Sequence, residues 1–222
     1  EDEHDGHGHG ESTVFSSESD EFGATFDLST DALAQKVAVN VLSEEVSIIG
    51  SEAFMNPSES DEVTLGYYAS TEIGQFTVDF GARFDFIDRE GSLSHEEEHH
   101  DDEDHGDEDH GDEHDEDHEE MEVEYFDKDF DELSFSASLN KQLNDSMVVN
   151  FSFSSVANAP SSTAMAMNGP HLARGRFETG DVNLSAERAS NFEGTLFYND
   201  GDYFGQFTLF QNSISNYIYL QD

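Results

Sequence analysis

Eleven histidines and 52 acidic residues carry most of the chemistry that this sequence offers. Residues 95–120 consist only of seven histidines, 17 aspartates or glutamates and two glycines. Imidazole nitrogen and carboxylate oxygen are ligands that suit zinc, with copper and nickel as competitors. The tract is therefore a candidate site for divalent metal ions, and its histidines are His95, His99, His100, His105, His110, His114 and His118.

Four further histidines extend the candidate set. His4, His7 and His9 lie in a second acidic segment, residues 1–11. His171 differs in kind, because it stands in an Asn-Gly-Pro-His motif outside any low-complexity tract. It is either a ligand at a transport site or a histidine that packs a loop.

The tract at 95–120 has two interpretations. It cannot bury enough apolar surface to offset its ordering entropy, so we expect a disordered loop that captures ions weakly and exchanges them quickly. His110, His114 and His118 are spaced by four, so a metal ion could gather them on one face of a transient helix. The alternative is an acidic loop that only solubilises the protein.

Composition excludes several classes of protein. The formal net charge of -44, with only eight Lys and Arg residues, excludes nucleic acid as a partner. The absence of cysteine excludes disulfides and thiolate metal sites. No isolated catalytic constellation or phosphate-binding glycine loop is present, so we expect no enzyme and no prosthetic group.

The elements that must position these histidines are predicted to be strands. Apolar and polar residues alternate with a period of two, most clearly at 76–86, 133–139 and 147–153. Weaker alternation extends the count to about eight strands, with the remaining five at 22–28, 37–41, 63–69, 192–198 and 203–209. The second face of these strands is polar or small, and Asp79, Arg83 and Asp85 could line a lumen or form an interior charge network.

The predicted connections alternate in length along the chain. Short ones fall near 29–36, 70–75, 140–146 and 199–202, and long ones fall near 42–61, 87–132 and 154–191. In an up-and-down antiparallel sheet the short turns then share one end and the long loops the other. The tract and residues 1–11 would therefore lie at the same end.

This asymmetry favours a transmembrane barrel over a soluble sandwich, because long loops are usual at the outer end of membrane barrels. We expect four segments: an acidic stretch at 1–11, barrel strands at 12–86, a long extracellular loop at 87–132, and further strands at 133–222 interrupted by a loop at 154–191. A complete eight-stranded barrel acting in adhesion remains an alternative.

Residues 168–198, NGPHLARGRFETGDVNLSAERASNFEGTLFY, and their continuation FGQFTLFQNSISNYIYLQD resemble the late barrel region of TonB-dependent outer-membrane receptors. IGSEAFMNPSESDEVTLGYYA and FTVDFGARFDF resemble the middle barrel strands of receptors implicated in zinc uptake, which also carry His-rich outer loops. The resemblance implies part of a 22-stranded barrel in the outer membrane, with a plug and coupling to the TonB complex.

The expected function is TonB-dependent uptake of a divalent metal, zinc being the first choice, by a barrel fragment in contact with outer-membrane lipid. The histidine-rich and acidic extracellular loops would capture the ions. The alternatives are a siderophore or haem receptor with an incidental acidic loop, and a soluble secreted or periplasmic β protein that buffers metal.

Overall fold

The computed structural model describes residues 13–50, 53–96, 121–171 and 175–221. Within these ranges the chain forms one eight-stranded antiparallel sheet and a separate two-stranded hairpin. The strands of the large sheet are β1 (Val14–Asp27), β2 (Ala34–Ile49), β3 (Ser58–Ile73), β4 (Phe76–Glu96), β5 (Met121–Asn144), β6 (Met147–Asn158), β9 (Glu187–Asn199) and β10 (Phe204–Ser215). Between β6 and β9 lie helix α1 (Ser162–Ala166) and the hairpin of β7 (Asn168–His171) and β8 (Arg176–Thr179).

Neighbours in the large sheet follow the order of the chain, so its topology is up-and-down, as predicted. The sheet is open, with β1 and β10 at its edges. The short turns share one end, here called the turn end, and the remaining connections share the opposite end, called the loop end. The turns are tight because their residues permit it: Gly74 and Gly201 adopt φ of 67° and 95°, and Asp200 accepts backbone hydrogen bonds from Asp202 and Tyr203.

The two faces of the sheet differ along most of its height. One face, here called outward, carries exposed apolar side chains in β1 to β5, such as Phe22, Leu65, Phe84 and Phe86. The other, called inner, carries mainly small or polar side chains, and the only cluster of buried apolar residues in the described ranges packs against it at the loop end. No helix in the described part of the chain is long and apolar enough to cross a membrane.

The strands extend further than the sequence analysis predicts. The sequence predicts a loop at 87–132, but β4 continues to Glu96 and β5 begins at Met121. The alternation persists beyond Phe86 with its faces exchanged: outward positions become acidic and inner positions become apolar, as at Leu93 and Phe126. Likewise, the loop predicted at 42–61 is shorter in the structure, where the connection covers only 50–57. The loop predicted at 154–191 contains the end of β6, helix α1 and the β7–β8 hairpin.

Candidate functional site

The histidine-rich tract begins at the tip of a paired two-stranded arm. β4 and β5 pair in unbroken register from Phe76↔Lys141 to Glu96↔Met121. The part beyond Phe86 is ten residues long and therefore extends roughly 33 Å along the strand. The backbone of His95 lies in β4 opposite Glu122, near the end of this arm. Glu96 and Met121, the residues on either side of 97–120, are thus paired with each other, and residues 97–120 themselves lie outside the described residues.

Two other segments at the loop end, residues 53–55 and helix α1, pack against the inner face of the arm. Their buried cluster joins Met55, Met165 and Ala166 to Ile48 of β2, Leu93 of β4 and Phe126 of β5. Met165 is completely buried. A methionine fits such an irregular gap because its unbranched side chain adapts to its neighbours. Leu93 and Phe126 point to the inner face, although their neighbours along the strands point outward. They therefore form the apolar surface on which these segments pack.

Polar contacts fix the β7–β8 hairpin beside the arm. The Asn168 side chain donates from Nδ2 to the carbonyl oxygen of Ser94 at 2.5 Å, and its backbone N–H donates to the carbonyl oxygen of Phe54 at 2.7 Å. Asn56 donates to the hydroxyls of Ser92 and Ser94 at 3.1 and 3.0 Å. The hairpin that contains His171 is therefore hydrogen-bonded to Ser94, the residue that precedes His95 in β4.

Two glycines permit this packing because any side chain would meet backbone. A Cβ on Gly169 would lie 2.7 Å from Cα of Phe54, and one on Gly180 would lie 2.6 Å from the carbonyl oxygen of Met165. Gly180 also donates its N–H to the carbonyl oxygen of Met167 at 2.5 Å. Close backbone approach, rather than a special φ, accounts for glycine at these positions.

Two ion pairs lie on the inner face of β3 and β4. Arg83 donates to Asp85 at 2.8 Å, and Thr64 donates to the same carboxylate at 2.8 Å. Arg89 donates to Glu62 at 2.8 Å and to the hydroxyl of Ser60 at 2.5 Å.

A further inner-face group involves Asp79, which accepts hydrogen bonds from Tyr68, Ser138 and Asn140. The predicted set of Asp79, Arg83 and Asp85 thus lies on one face. It splits there into two separate hydrogen-bonded groups.

The outward face of the arm and its neighbours carries a dense acidic surface that the sequence analysis missed. Two rows of directly opposed residues cross β1 to β5, and nine of their ten positions hold a carboxylate; we call them the acidic rows. One row contains Glu18, Glu45, Glu59, Glu90 and Asp127, and the other contains Asp20, Ser43, Asp61, Asp88 and Asp129. The next row toward the turn end is apolar in four of five strands: Phe22, Val41, Val63, Phe86 and Asp131. The alternation in β4 could have predicted this surface, because Asp88 and Glu90 occupy the same alternate positions as Phe84 and Phe86 and therefore lie on the same face.

Within these rows one carboxylate oxygen from each of Asp88, Glu90 and Asp127 lies within 4.8 Å of the others. Burial, followed by repulsion from Asp127, raises the pKa of Asp88 above its usual value. Repulsion from Asp127 and Asp88 raises the pKa of Glu90. The cluster is therefore electrostatically unfavourable when all three groups are ionised.

Among the histidines predicted as metal ligands, only His95 and His171 have described backbones, at the end of β4 and the end of β7. The remaining nine lie outside the described residues: His4, His7, His9, His99, His100, His105, His110, His114 and His118. Metal binding by all eleven therefore stays a prediction. What the structure adds is that the hairpin of His171 and the base of the tract share one end of the sheet.

An open up-and-down sheet with an apolar outward face, a polar inner face and long segments at one end has the features typical of the wall of a transmembrane β-barrel. The chain belongs to the family described as TonB dependent receptor-like, beta-barrel, whose sequence profile matches residues 5–222. Proteins of this family are outer-membrane barrels, and they are receptors and transporters rather than enzymes. The predicted all-β fold and family are thereby confirmed.

Solved structures with the same fold include a double mutant of the hemophore receptor HasR from Serratia marcescens, in complex with its hemophore HasA and heme. It has 12% identity and a TM-score of 0.63, covering 92% of this chain and 33% of that one. The FrpB iron transporter from Neisseria meningitidis, F3-3 variant, has 15% identity and a TM-score of 0.54, covering 91% and 28%. The chain thus spans about a third of the length of these structures. No curated protein sequence is matched.

Proposed function

We propose that this chain forms part of the wall and the outer loops of a TonB-dependent transporter that takes up divalent metal ions, with zinc as the first candidate. The observation that carries the proposal is the pairing of Glu96 with Met121, the residues that flank the histidine-rich sequence 97–120, at the loop end of the β4–β5 arm. The loop end would face the cell exterior, as the long loops of outer-membrane barrels do. Energy would come from the TonB complex.

The chemistry of capture follows from the composition of the tract. Dense carboxylates raise the local concentration of cations, and the histidines offer nitrogen ligands that zinc prefers to oxygen alone. Many weak sites in one segment would hold an ion long enough for transfer while still releasing it. Because the tract's histidines must be neutral to coordinate metal, and the nearby acids favour their protonated form, capture weakens as the pH falls.

His171 is the candidate for a receiving ligand. Its hairpin is tied to the arm through Asn168 and Ser94, so ions released near the base of the tract would meet this hairpin next. A packing role for His171 is the alternative. Replacing His171 by Gln separates the two: a ligand role predicts weaker transport with normal ion capture, whereas a packing role predicts greater exposure of the β7–β8 hairpin.

A second function has its own support. The structural neighbours are a hemophore receptor in complex with heme and an iron transporter, so haem or an iron chelate is an alternative cargo. In that case the tract would be an acidic loop incidental to transport. The neighbours support the fold at 12–15% identity and leave the cargo open.

Calorimetric titration distinguishes these functions. The full-length gene product in detergent is titrated with zinc and, separately, with haem, beside a variant lacking residues 97–120. The deletion joins the paired residues Glu96 and Met121, so only the last pairs of the arm have to open to form a turn. Zinc binding that disappears with the tract and weakens in mild acid supports capture. Zinc binding that is absent from both proteins, together with saturable haem binding, replaces zinc with haem as the cargo.

A further inference from the structure

The two long edges of the arm differ in what covers them. On the β4 side the β7–β8 hairpin is bonded to the edge, because the Asn168 side chain donates to the carbonyl oxygen of Ser94. On the β5 side the neighbouring strand, β6, pairs only with residues from Phe135 onward. Within the described ranges no strand pairs with that side of β5 before Phe135. The arm therefore has an open edge along residues 123–131, here called the β5 edge.

The hydrogen-bond pattern shows which backbone groups face the β5 edge. In an antiparallel pair, alternate residues bond to the partner strand, and the residues between them point their N–H and C=O groups away from it. The carbonyl oxygen of Ser94 bonds to the hairpin, so Val123, which lies opposite Ser94, also points away from β4. The carbonyl oxygen of Leu133 likewise accepts a hydrogen bond from Arg188 on the far side of β5. The odd-numbered residues from 123 to 131 therefore present both backbone groups at the β5 edge.

The β5 edge begins where the apolar band of the wall ends. The outward row that contains Val63, Phe86 and Asp131 is the last one that is mainly apolar, and the edge extends from it toward the loop end. A strand edge exposed to hydrocarbon would leave its backbone groups without partners. Outside the apolar band water hydrates these groups, and they remain available to an added strand. The edge is roughly 27 Å long, which is enough for a strand of ordinary length.

The side chains beside the β5 edge specify the charge of a strand that pairs there. Asp127, Asp129 and Asp131 are consecutive outward residues, all exposed, and within the described ranges none of them has a basic partner. An added strand places one side chain directly opposite each aspartate, where opposite charge stabilises and like charge destabilises the pair. A second copy of β5 would oppose aspartate with aspartate. Charge therefore disfavours self-association through this edge and favours a basic strand.

We propose that the β5 edge binds an extended segment of a partner protein by β-strand addition, and that this segment carries Lys or Arg at every second position. The odd-numbered residues from 123 to 131 supply the backbone hydrogen bonds, and the three aspartates select the charge. On the inner side Phe126 and Phe130 flank Lys128, so two apolar residues around a central acid complete the complementary pattern. The interaction concerns the arm alone and is independent of the cargo that the transporter carries.

A designed peptide tests the backbone contribution. The probe is Lys-Val-Lys-Glu-Lys-Val-Lys, blocked at both ends and titrated calorimetrically into the full-length gene product in detergent. N-methylation of its lysines removes the donors that would face the β5 edge, whereas N-methylation of its valines removes only donors that face away. The unmodified and valine-methylated peptides should bind, and the lysine-methylated peptide should not. Equal binding of all three, or no binding of the unmodified peptide, would overturn the proposal.

Charge variants of the protein test the selection of a basic strand. D127N/D129N/D131N should weaken binding of the unmodified peptide roughly 3- to 150-fold, because each opposed pair contributes a factor of about 1.4 to 5. The control D31N/D145N/D202N removes three exposed carboxylates at the turn end and should leave the affinity unchanged. An unchanged affinity in the first variant, or equal losses in both, would contradict the pairing.

A backbone variant removes one edge donor without removing a carboxylate. Tyr125→Pro deletes an N–H that faces the β5 edge and leaves the ladder to β4 complete, and proline is tolerated at such positions. It should weaken the peptide, whereas Tyr125→Thr, which keeps the N–H, should not. Slow amide exchange at Phe126 and Lys128 in both variants shows that the arm is still paired. Equal affinities of the two variants would refute strand addition.

Site-resolved hydrogen exchange in the parent protein locates the bound peptide without any substitution. The peptide should slow exchange at the odd-numbered amides from 125 to 131 and leave the even-numbered ones, already bonded to β4, unchanged; a uniform effect or none would refute the register. Residues 97–120 attract a basic peptide by charge alone, so the titration is repeated on the variant that lacks them. Binding retained there supports the β5 edge, and binding lost there contradicts it. Zinc binding by the same variant tests the proposed function separately.

Discussion

Replacing Gly180 by Ala should open the contact between the end of β8 and α1, within the loop-end segment that joins β6 to β9. The added Cβ would lie 2.6 Å from the carbonyl oxygen of Met165 and 2.8 Å from that of Ala164. Ordinary Cβ contacts begin near 3.4 Å, so the backbones must separate by about 0.8 Å. Both obstacles are backbone atoms of α1, which cannot rotate away as a side chain would.

The expected cost follows from this geometry. Inserting one methyl group into a closely packed contact costs about 1–3 kcal/mol, and backbone obstruction favours the upper half of that range. Two hydrogen bonds cross the contact, from Gly180 N to Met167 O at 2.5 Å and from Asp181 N to Ala164 O at 3.1 Å. Local opening of this segment should therefore rise roughly 30- to 150-fold, which is that upper half expressed as an equilibrium constant.

Hydrogen exchange of the full-length product measures this opening. The amides of Gly180, or its replacement, and of Asp181 and Met167 report on the contact, while amides in the paired centre of β3 and β4 report on the wall. The control is Gly205→Ala, because a Cβ at Gly205 meets no atom within 4 Å. Exchange in the Gly180 variant that matches the parent protein would refute the packing argument, and equal acceleration in β3 and β4 would show global destabilisation instead.

Three further outcomes are expected. Arg89→Ala should lower the free energy of unfolding in denaturant by about 1.5–3 kcal/mol, since it leaves the carboxylate of Glu62 without its partner; an unchanged value would contradict the pairing. The raised pKa of Asp88 means that its charged form is disfavoured in the fold, so this end of the sheet should lose stability as the pH rises through the carboxylate range and recover it in acid. Asp127→Asn should lower that pKa in an NMR titration, and an unchanged pKa would remove Asp127 as a cause. Zinc capture by residues 97–120 should decline as the pH falls through the histidine range near about 6.5, and pH-independent binding would argue against histidine ligands.

The sequence predicts the strand order well because period-two alternation is a local property. In β4, the apolar series from Phe76 to Phe86 and its polar partners Asp79 and Arg83 define both faces without any tertiary information. The same signal ends at Phe86 in the sequence, because beyond it the apolar residues no longer occupy the outward positions. Acids continue the outward series there, and Leu93 continues the inner one.

The candidate site divides in the same way. Composition alone identifies the tract at 95–120, since its ligand chemistry needs no partner from elsewhere in the chain. The buried cluster beside the β7–β8 hairpin could not be predicted, because Met165, Leu93 and Ile48 come from three separate parts of the sequence. Asn168 gives no sign in the sequence that it bonds to Ser94.

What the sequence by itself determined is the local character of each segment: strands that alternate, turns that glycine and aspartate permit, and a tract too polar to pack. Tertiary structure alone decided which residues became neighbours. Glu45, Glu59, Glu90 and Asp127 are unremarkable acids in an acidic chain, and only the register of four strands aligns them into a charged row. Register depends on the pairing of distant strands, because the hydrogen bonds that set it join residues up to tens of positions apart.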